Sequence, residues 1–109
     1  MRTESAIHIR LKEQLNQLME QEKPIILYFS SRDCNVCHAV FPKLMNLIDP
    51  ESIDIAIINI NEHVEIAGQL LVFTVPTILI FCEGKEILRE SRFIDFQKVE
   101  RILNFLSEM

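Results

Sequence analysis

Apolar positions recur along this chain with two different periods. Ile7, Leu11, Leu15 and Leu18 fall at i, i+4, i+8 and i+11 among Lys, Glu, Gln and Asn. That single apolar stripe predicts a helix over residues 4–22. Pro24 closes it, since proline lacks the N–H that a helix interior needs. Residues 25–29, Ile-Ile-Leu-Tyr-Phe, are a short unbroken apolar run. Their length and their β-branched and aromatic content predict a strand buried on both faces. A polar turn follows over 30–33. Val36, Val40, Leu44 and Leu47 return to helical spacing and predict a helix over about 35–48, kinked by Pro42 and ended by Asp49-Pro50-Glu51. Residues 53–60 read as a second buried strand, 61–71 as a short helix and 77–82 as a third strand. Glu83-Gly84 reads as a hairpin turn, with 86–90 as the returning strand. Asp95 can cap a last helix that turns Phe96, Val99, Leu103 and Leu106 inward.

The predicted order is α-β-α-β-α-β-β-α. Alternating strands and helices with buried runs imply an α/β fold: a parallel sheet with helices on both faces, plus an antiparallel edge strand from the final hairpin. The 109 residues amount to a single domain over 1–109, and 49% apolar content is enough for a packed core.

Composition then removes whole classes of function. Glycine occurs twice, at Gly68 and Gly84, too few for any glycine-rich phosphate loop. Eleven Lys and Arg against 16 Asp and Glu give a net charge of −5. With no basic cluster, nucleic acid is a poor partner. No apolar run approaches the ~20 residues of a membrane span. The first residues carry a charge every few positions and lack the apolar core of a secretory signal, which points to the cytosol.

The strongest local signal is Asp33-Cys34-Asn35-Val36-Cys37-His38. Cys34 sits where a buried strand gives way to a helix. Unpaired N–H groups and partial positive charge at a helix N-terminus favour a thiolate there. Cys37, three residues on, shares nearly the same helical face and can close a small disulfide. A Cys34 thiolate could attack a substrate disulfide, and Cys37 could resolve the mixed disulfide. Blander readings stand beside this one: two structural thiols, a c-type haem attachment site (Cys34 to His38 also fits CxxCH), or a metal site with His63 or Cys82. Zinc would want a second close pair, and there is none. His8 and His63 read as surface residues, Cys82 as an inert strand-end thiol, and Phe73 as either core or an apolar rim.

A Cys-x-x-Cys beside a βαβ pattern in a cytosolic chain suggests a thioredoxin-like redox motif. The sequence resembles the thioredoxin superfamily over essentially its whole length. Strand 25–29 leads into the Cys34/Cys37 pair, and Pro42 falls where thioredoxins carry a kinking proline. Asn59-Ile60-Asn61 resembles the end of the family's next strand. Val75-Pro76-Thr77 looks like its cis-proline segment, and Phe81, Glu83, Gly84 and Lys85 like its hairpin. The resemblance implies a central mixed β-sheet flanked by helices on both faces. It also implies a thiol–disulfide oxidoreductase, with Cys34 attacking and Cys37 resolving. Pro76 would be cis, beside the disulfide, and the Val75 backbone would pair with an extended substrate. It implies no bound cofactor, and the missing second ligand pair argues against a metal. The partners would be disulfide-containing proteins and a reductase or other thiol electron donor; charge and run length already argue against nucleic acid and membrane, and the chain is expected to be a monomer.

The departures from the family shape the expectations further. Thioredoxins have Trp before the first cysteine and Gly-Pro between the two; here stand Asp33, Asn35 and Val36, and there is no Trp. The family's buried acidic residue falls at Tyr28 and its partner lysine at Ile57. Their loss implies slower or differently tuned exchange. Asp33 would disfavour the Cys34 thiolate, and a protonated His38 would favour it. The lost relay also supports a second reading, a binding module with little turnover. A glycine usual after the last strand has become Arg92. Together with Asn35 it predicts a narrowed or re-charged substrate surface.

Overall fold

The computed structural model describes residues 6–108. The apolar run after Pro24 becomes β2 (Ile25–Ser30), the middle strand of a five-stranded mixed sheet. It does not alternate because both faces are covered. Ile26 and Tyr28 face one apolar layer, while Ile25, Leu27 and Phe29 face the other. The first layer is completed by α2 (Asn35–Met45) and α4 (Phe96–Ser107), which contribute Val40, Leu44, Val99 and Leu103. The second is completed by α1 (Lys12–Met19) and α3 (Val64–Gln69), which contribute Leu15, Ile66 and Ala67. Asp95 caps α4 as expected, its Oδ1 accepting the N–H groups of Gln97 and Lys98.

The N-terminus corrects the sequence reading. Ala6–His8 form a strand, β1, and not the start of a helix. It pairs in parallel with β3 (Asp54–Asn59), Ile7 opposite Ala56. The buried positions Ala6 and Ile9 contact the two apolar layers. The exposed edge of β3 thus gains a partner, a demand that a local helical period cannot register. Residues 4 and 5 of the predicted helix lie outside the described residues. His8 therefore sits exposed on an edge strand, and Leu11 is 66% exposed as the residue preceding α1.

Strand direction is the second correction. β3 runs parallel to β2, but β4 (Thr77–Cys82) lies antiparallel to β2, with Thr77 opposite Phe29. β4 alone thus runs against the other strands: β5 (Lys85–Ser91), antiparallel to β4, runs the same way as β1, β2 and β3, so the reversed strand is the hairpin's first and not its last. The reason is the length of α3. Six helical residues rise about 9 Å, too short to return along a strand of about 20 Å. The chain stays at the end where β3 finished and enters β4 from there.

Both middle helices are shorter than the apolar spacing predicts. α2 continues through Pro42 but stops at Met45, because the amides of Leu47 and Ile48 bond back three residues to Leu44 and Met45. α3 begins late because the Asn59 side chain accepts the N–H groups of Asn61 and Glu62 in a turn. It ends early because Leu71 takes a left-handed φ of 58°. The Leu71 and Val72 amides then bond to the carbonyls of Gly68 and Ala67 in a Schellman closure. The Arg89 guanidinium on β5 donates to the Leu70 and Leu71 carbonyls at 2.7 and 3.0 Å, and grips both carboxylate oxygens of Glu86 at 2.8 Å. That hydrogen bonding lowers the Glu86 pKa from its ordinary 4.5 and raises that of Arg89. Arg89→Ala is expected to cost about 1–2 kcal/mol in urea unfolding, because two helix-end carbonyls lose a charged donor. An unchanged midpoint would mean that the Schellman bonds alone hold this end.

Candidate active site

β2, β3 and β4 all deliver their site-bearing termini to one end of the sheet. Ser30 stands opposite Asn59 on β3, and the neighbouring Phe29 stands opposite Thr77, which directly follows Pro76. The turn after β2 and the loop before β4 therefore meet, as two separated motifs must if they share a site.

Cys34 is the N-cap of α2, with extended backbone. Its Sγ accepts the backbone N–H of Cys37 at 3.1 Å. A helix-end N–H aimed at sulfur, with the helix dipole behind it, stabilises negative charge there. Cys34 and Cys37 form a disulfide with their Cα atoms 5.2 Å apart. The two sulfurs are not equivalent to solvent: Cys34 is half-buried, whereas Cys37 is 1% exposed.

Beneath the pair lies Tyr28, 2% exposed. Its hydroxyl donates to the Cys37 carbonyl at 2.5 Å, and its ring lies 5.4 Å from that of Phe41. Burial pushes the phenol up from its ordinary value of 10.0, so it is neutral at any working pH. Tyr28 stands directly opposite Ile57 in the β2–β3 register. No carboxylate or ammonium occupies either position. The hydroxyl's tie to Cys37 was not legible in the sequence, where Tyr28 read only as a lost acid.

The remaining expected residues fall around this centre. The Val75–Pro76 peptide bond is cis, and Pro76 is buried. Asp33 and Val75 both line an open cleft of about 530 Å³, together with Ile60, Val64 and Phe73. Phe73 is 77% exposed, which makes it part of an apolar rim rather than core. The His38 ring turns back to the loop before the pair, its Nε2 2.9 Å from the Arg32 carbonyl. A carbonyl only accepts, so Nε2 carries the proton. His63 is half-buried and ties the start of α3 to the Ile9 carbonyl at 3.0 Å. Cys82 ends β4, five residues and about 17 Å along the strand from Thr77, out of reach of the pair. Among the described residues, no group of three His, Cys, Asp or Glu could hold a metal ion. No helix among them is long and apolar enough to cross a membrane.

Arg92 and Asn35 are both exposed, Asn35 in the first turn of α2. Arg92 adopts φ 65°, and its N–H donates to the Pro76 carbonyl at 2.8 Å. A long side chain in the left-handed region is disfavoured. Arg92→Gly is expected to stabilise the fold by about 1 kcal/mol, raising Tm by roughly 4–8 °C. A calorimetric Tm that falls instead would show that the arginine's stacking on Phe93 outweighs the backbone strain.

The comparisons with known proteins agree with this geometry. The Thioredoxin family model matches residues 6–108. A thioredoxin-like protein of Bacillus subtilis (strain 168), YdfQ, is 40% identical over 90 residues, 82% of this chain and 80% of that one. Thioredoxin 1 of Thermosipho africanus superposes with a TM-score of 0.69 at 34% identity, covering 77% of this chain and 94% of that one. A thioredoxin variant from Halobacterium salinarum superposes with a TM-score of 0.84 at 16% identity, over 100% of this chain and 96% of that one, a likeness of fold. A Cys-x-x-Cys disulfide on this fold is the equipment of a thiol–disulfide oxidoreductase. On its sequence, its fold and its cysteine pair, the chain belongs to the thioredoxin family.

Proposed function

We propose that the protein reduces or exchanges disulfides in protein substrates, working in the cytosol as a single-domain monomer. The Cys34 thiolate attacks one sulfur of the substrate disulfide. That bond breaks, a mixed disulfide forms, and the other substrate sulfur leaves as a thiolate. Cys37 then attacks the Cys34 sulfur, closing the Cys34–Cys37 disulfide and releasing the second substrate thiolate. A reductase or another thiol carrier returns two electrons to the pair. The Val75 backbone pairs with an extended substrate segment and Pro76 shapes the groove. Asp33 and His38 bias the Cys34 thiolate in opposite directions.

The observation that carries this reading is the unequal exposure of the two sulfurs, with a helix-end N–H on the more open one. The test is the reduction of insulin by dithiothreitol, followed as turbidity. The protein should shorten the lag, and Cys34→Ser should return it to the blank. No acceleration by the wild type would sink the reading. Titration of the pair against glutathione buffers gives the direction: a potential well below the cytosolic poise marks a reductant, one far above it an oxidant or isomerase.

A second reading is a binding module with little turnover. It is favoured by Tyr28 facing Ile57 beneath the pair, where no acid or base is placed to move the Cys37 proton. Substrate binding without acceleration in the insulin assay is its signature.

A further inference from the structure

Arg92 is fixed beside the proposed substrate loop. Ser91 pairs with Thr77 across β4 and β5, and the Arg92 N–H closes onto the Pro76 carbonyl. Its guanidinium lies 5.7 Å from the ring of Phe93, which is 85% exposed. The ion pairs among the described residues are Lys23–Asp54, Arg32–Glu62 and Arg89–Glu86, so Arg92 has no carboxylate partner within them. On the other flank of the loop, Asp33 shares the cleft with Val75. An acidic side chain thus shares the Val75 cleft, while a basic residue is tied to Pro76. This basic point stands out on a chain of net charge −5.

We infer that Arg92, laid against Phe93, is a specificity-determining contact that selects substrates with an acidic side chain next to the reacting cysteine. The inference deepens the proposed oxidoreductase reading and rests on it. A guanidinium lying on an aromatic ring is held in place, and its planar fork matches a carboxylate through two hydrogen bonds. The exposed Phe93 ring offers an apolar surface to a neighbouring side chain. An extended substrate presents same-face side chains about 7 Å apart, so one face can reach both groups. Asp33 on the opposite flank repels an acidic residue there, which gives the segment a preferred direction. The backbone bond to Pro76 fixes where the Arg92 side chain leaves the chain, and the Phe93 ring lies 5.7 Å from its guanidinium.

The experiment uses two peptide disulfides that differ only in Glu or Gln beside one cysteine. For the wild type at low salt, the kcat/KM ratio of Glu to Gln peptide should be about 2–5, falling towards one at about 1 M salt. Arg92→Gly, whose glycine suits the backbone, should bring the ratio to one, and Arg92→Glu should invert it. Circular dichroism checks that both variants are folded. A ratio that is the same in all three proteins overturns the inference, even if both rates fall together. Binding is measured apart from chemistry, by anisotropy of the labelled peptides on Cys34→Ser protein. The same preference should appear there and be lost in Cys34→Ser/Arg92→Gly. Equal affinities of the two peptides for Cys34→Ser protein overturn the Arg92 assignment. A wild type that binds the Glu peptide better yet turns over neither peptide supports the contact and strikes the oxidoreductase reading instead.

Discussion

Cys37→Ser protein will accumulate mixed disulfides with its substrates, and Cys34→Ser protein will accumulate none. The asymmetry follows from burial. Cys34 is half-buried at the head of α2, while Cys37 is 1% exposed behind it. A substrate sulfur can approach only the outer thiol. Once Cys34 carries the substrate, release requires Cys37 to attack the Cys34 sulfur, and serine cannot do so. The Cys37 N–H on Cys34 Sγ survives the substitution because it belongs to the backbone, so Cys34 keeps its local stabilisation. Non-reducing electrophoresis of the two variants after incubation with a disulfide substrate reads the outcome. Adducts on Cys34→Ser, or on both variants alike, would reverse the assigned order. In the insulin assay both variants should fall to the level of the blank.

Tyr28→Ala will remove much of the stability of the domain, about 3–5 kcal/mol, against a typical total of roughly 5–15. The ring is 2% exposed, packs on Phe41, and sits in the layer shared by β2, α2 and α4. Tyr28→Phe separates the hydroxyl from the ring. It keeps the packing and loses only the bond to the Cys37 carbonyl, and should cost about 1 kcal/mol, since that carbonyl retains a helical N–H. The two variants should also differ from wild type in alkali. Burial raises the folded phenol's pKa, while the unfolded phenol ionises near 10.0. Its contribution to stability is therefore fully present below that pH. It is lost as pH rises above it, because the unfolded state sheds the proton first. Urea midpoints measured between about pH 9 and 11 should fall less steeply for Tyr28→Phe than for wild type. Parallel slopes would show that the phenol titrates alike in both states.

Some of this fold was legible because the physics is local. The runs at 25–29 and 77–82 are buried on both faces and announce it by not alternating. Asp95 before an amphipathic stretch marks a helix start, and Glu83-Gly84 suits a hairpin with φ of 52° and 81°. The cysteine pair was legible for the same reason, since three residues along one helix turn fix where two thiols can meet. What escaped was set by distant partners. β1 exists because β3 offers an edge fifty residues away, and nothing in Ala-Ile-His states that. The direction of β4 depends on how far α3 carries the chain, which depended in turn on a side-chain turn at Asn59 and a left-handed Leu71.

The candidate site divides along the same line. The sequence by itself determined the chemistry: two thiols at a strand-to-helix junction, a Val-Pro segment, and no acid at Tyr28 or base at Ile57. Residue identity is enough for that, because nucleophilicity and charge belong to the side chain. Only the tertiary structure decided which sulfur faces solvent and that the Tyr28 hydroxyl holds the Cys37 carbonyl. It alone fixed Arg92 against Pro76. Exposure and hydrogen-bond partners are set by what packs around a residue, and here the packing joins β2, β4 and β5, segments tens of residues apart in the chain.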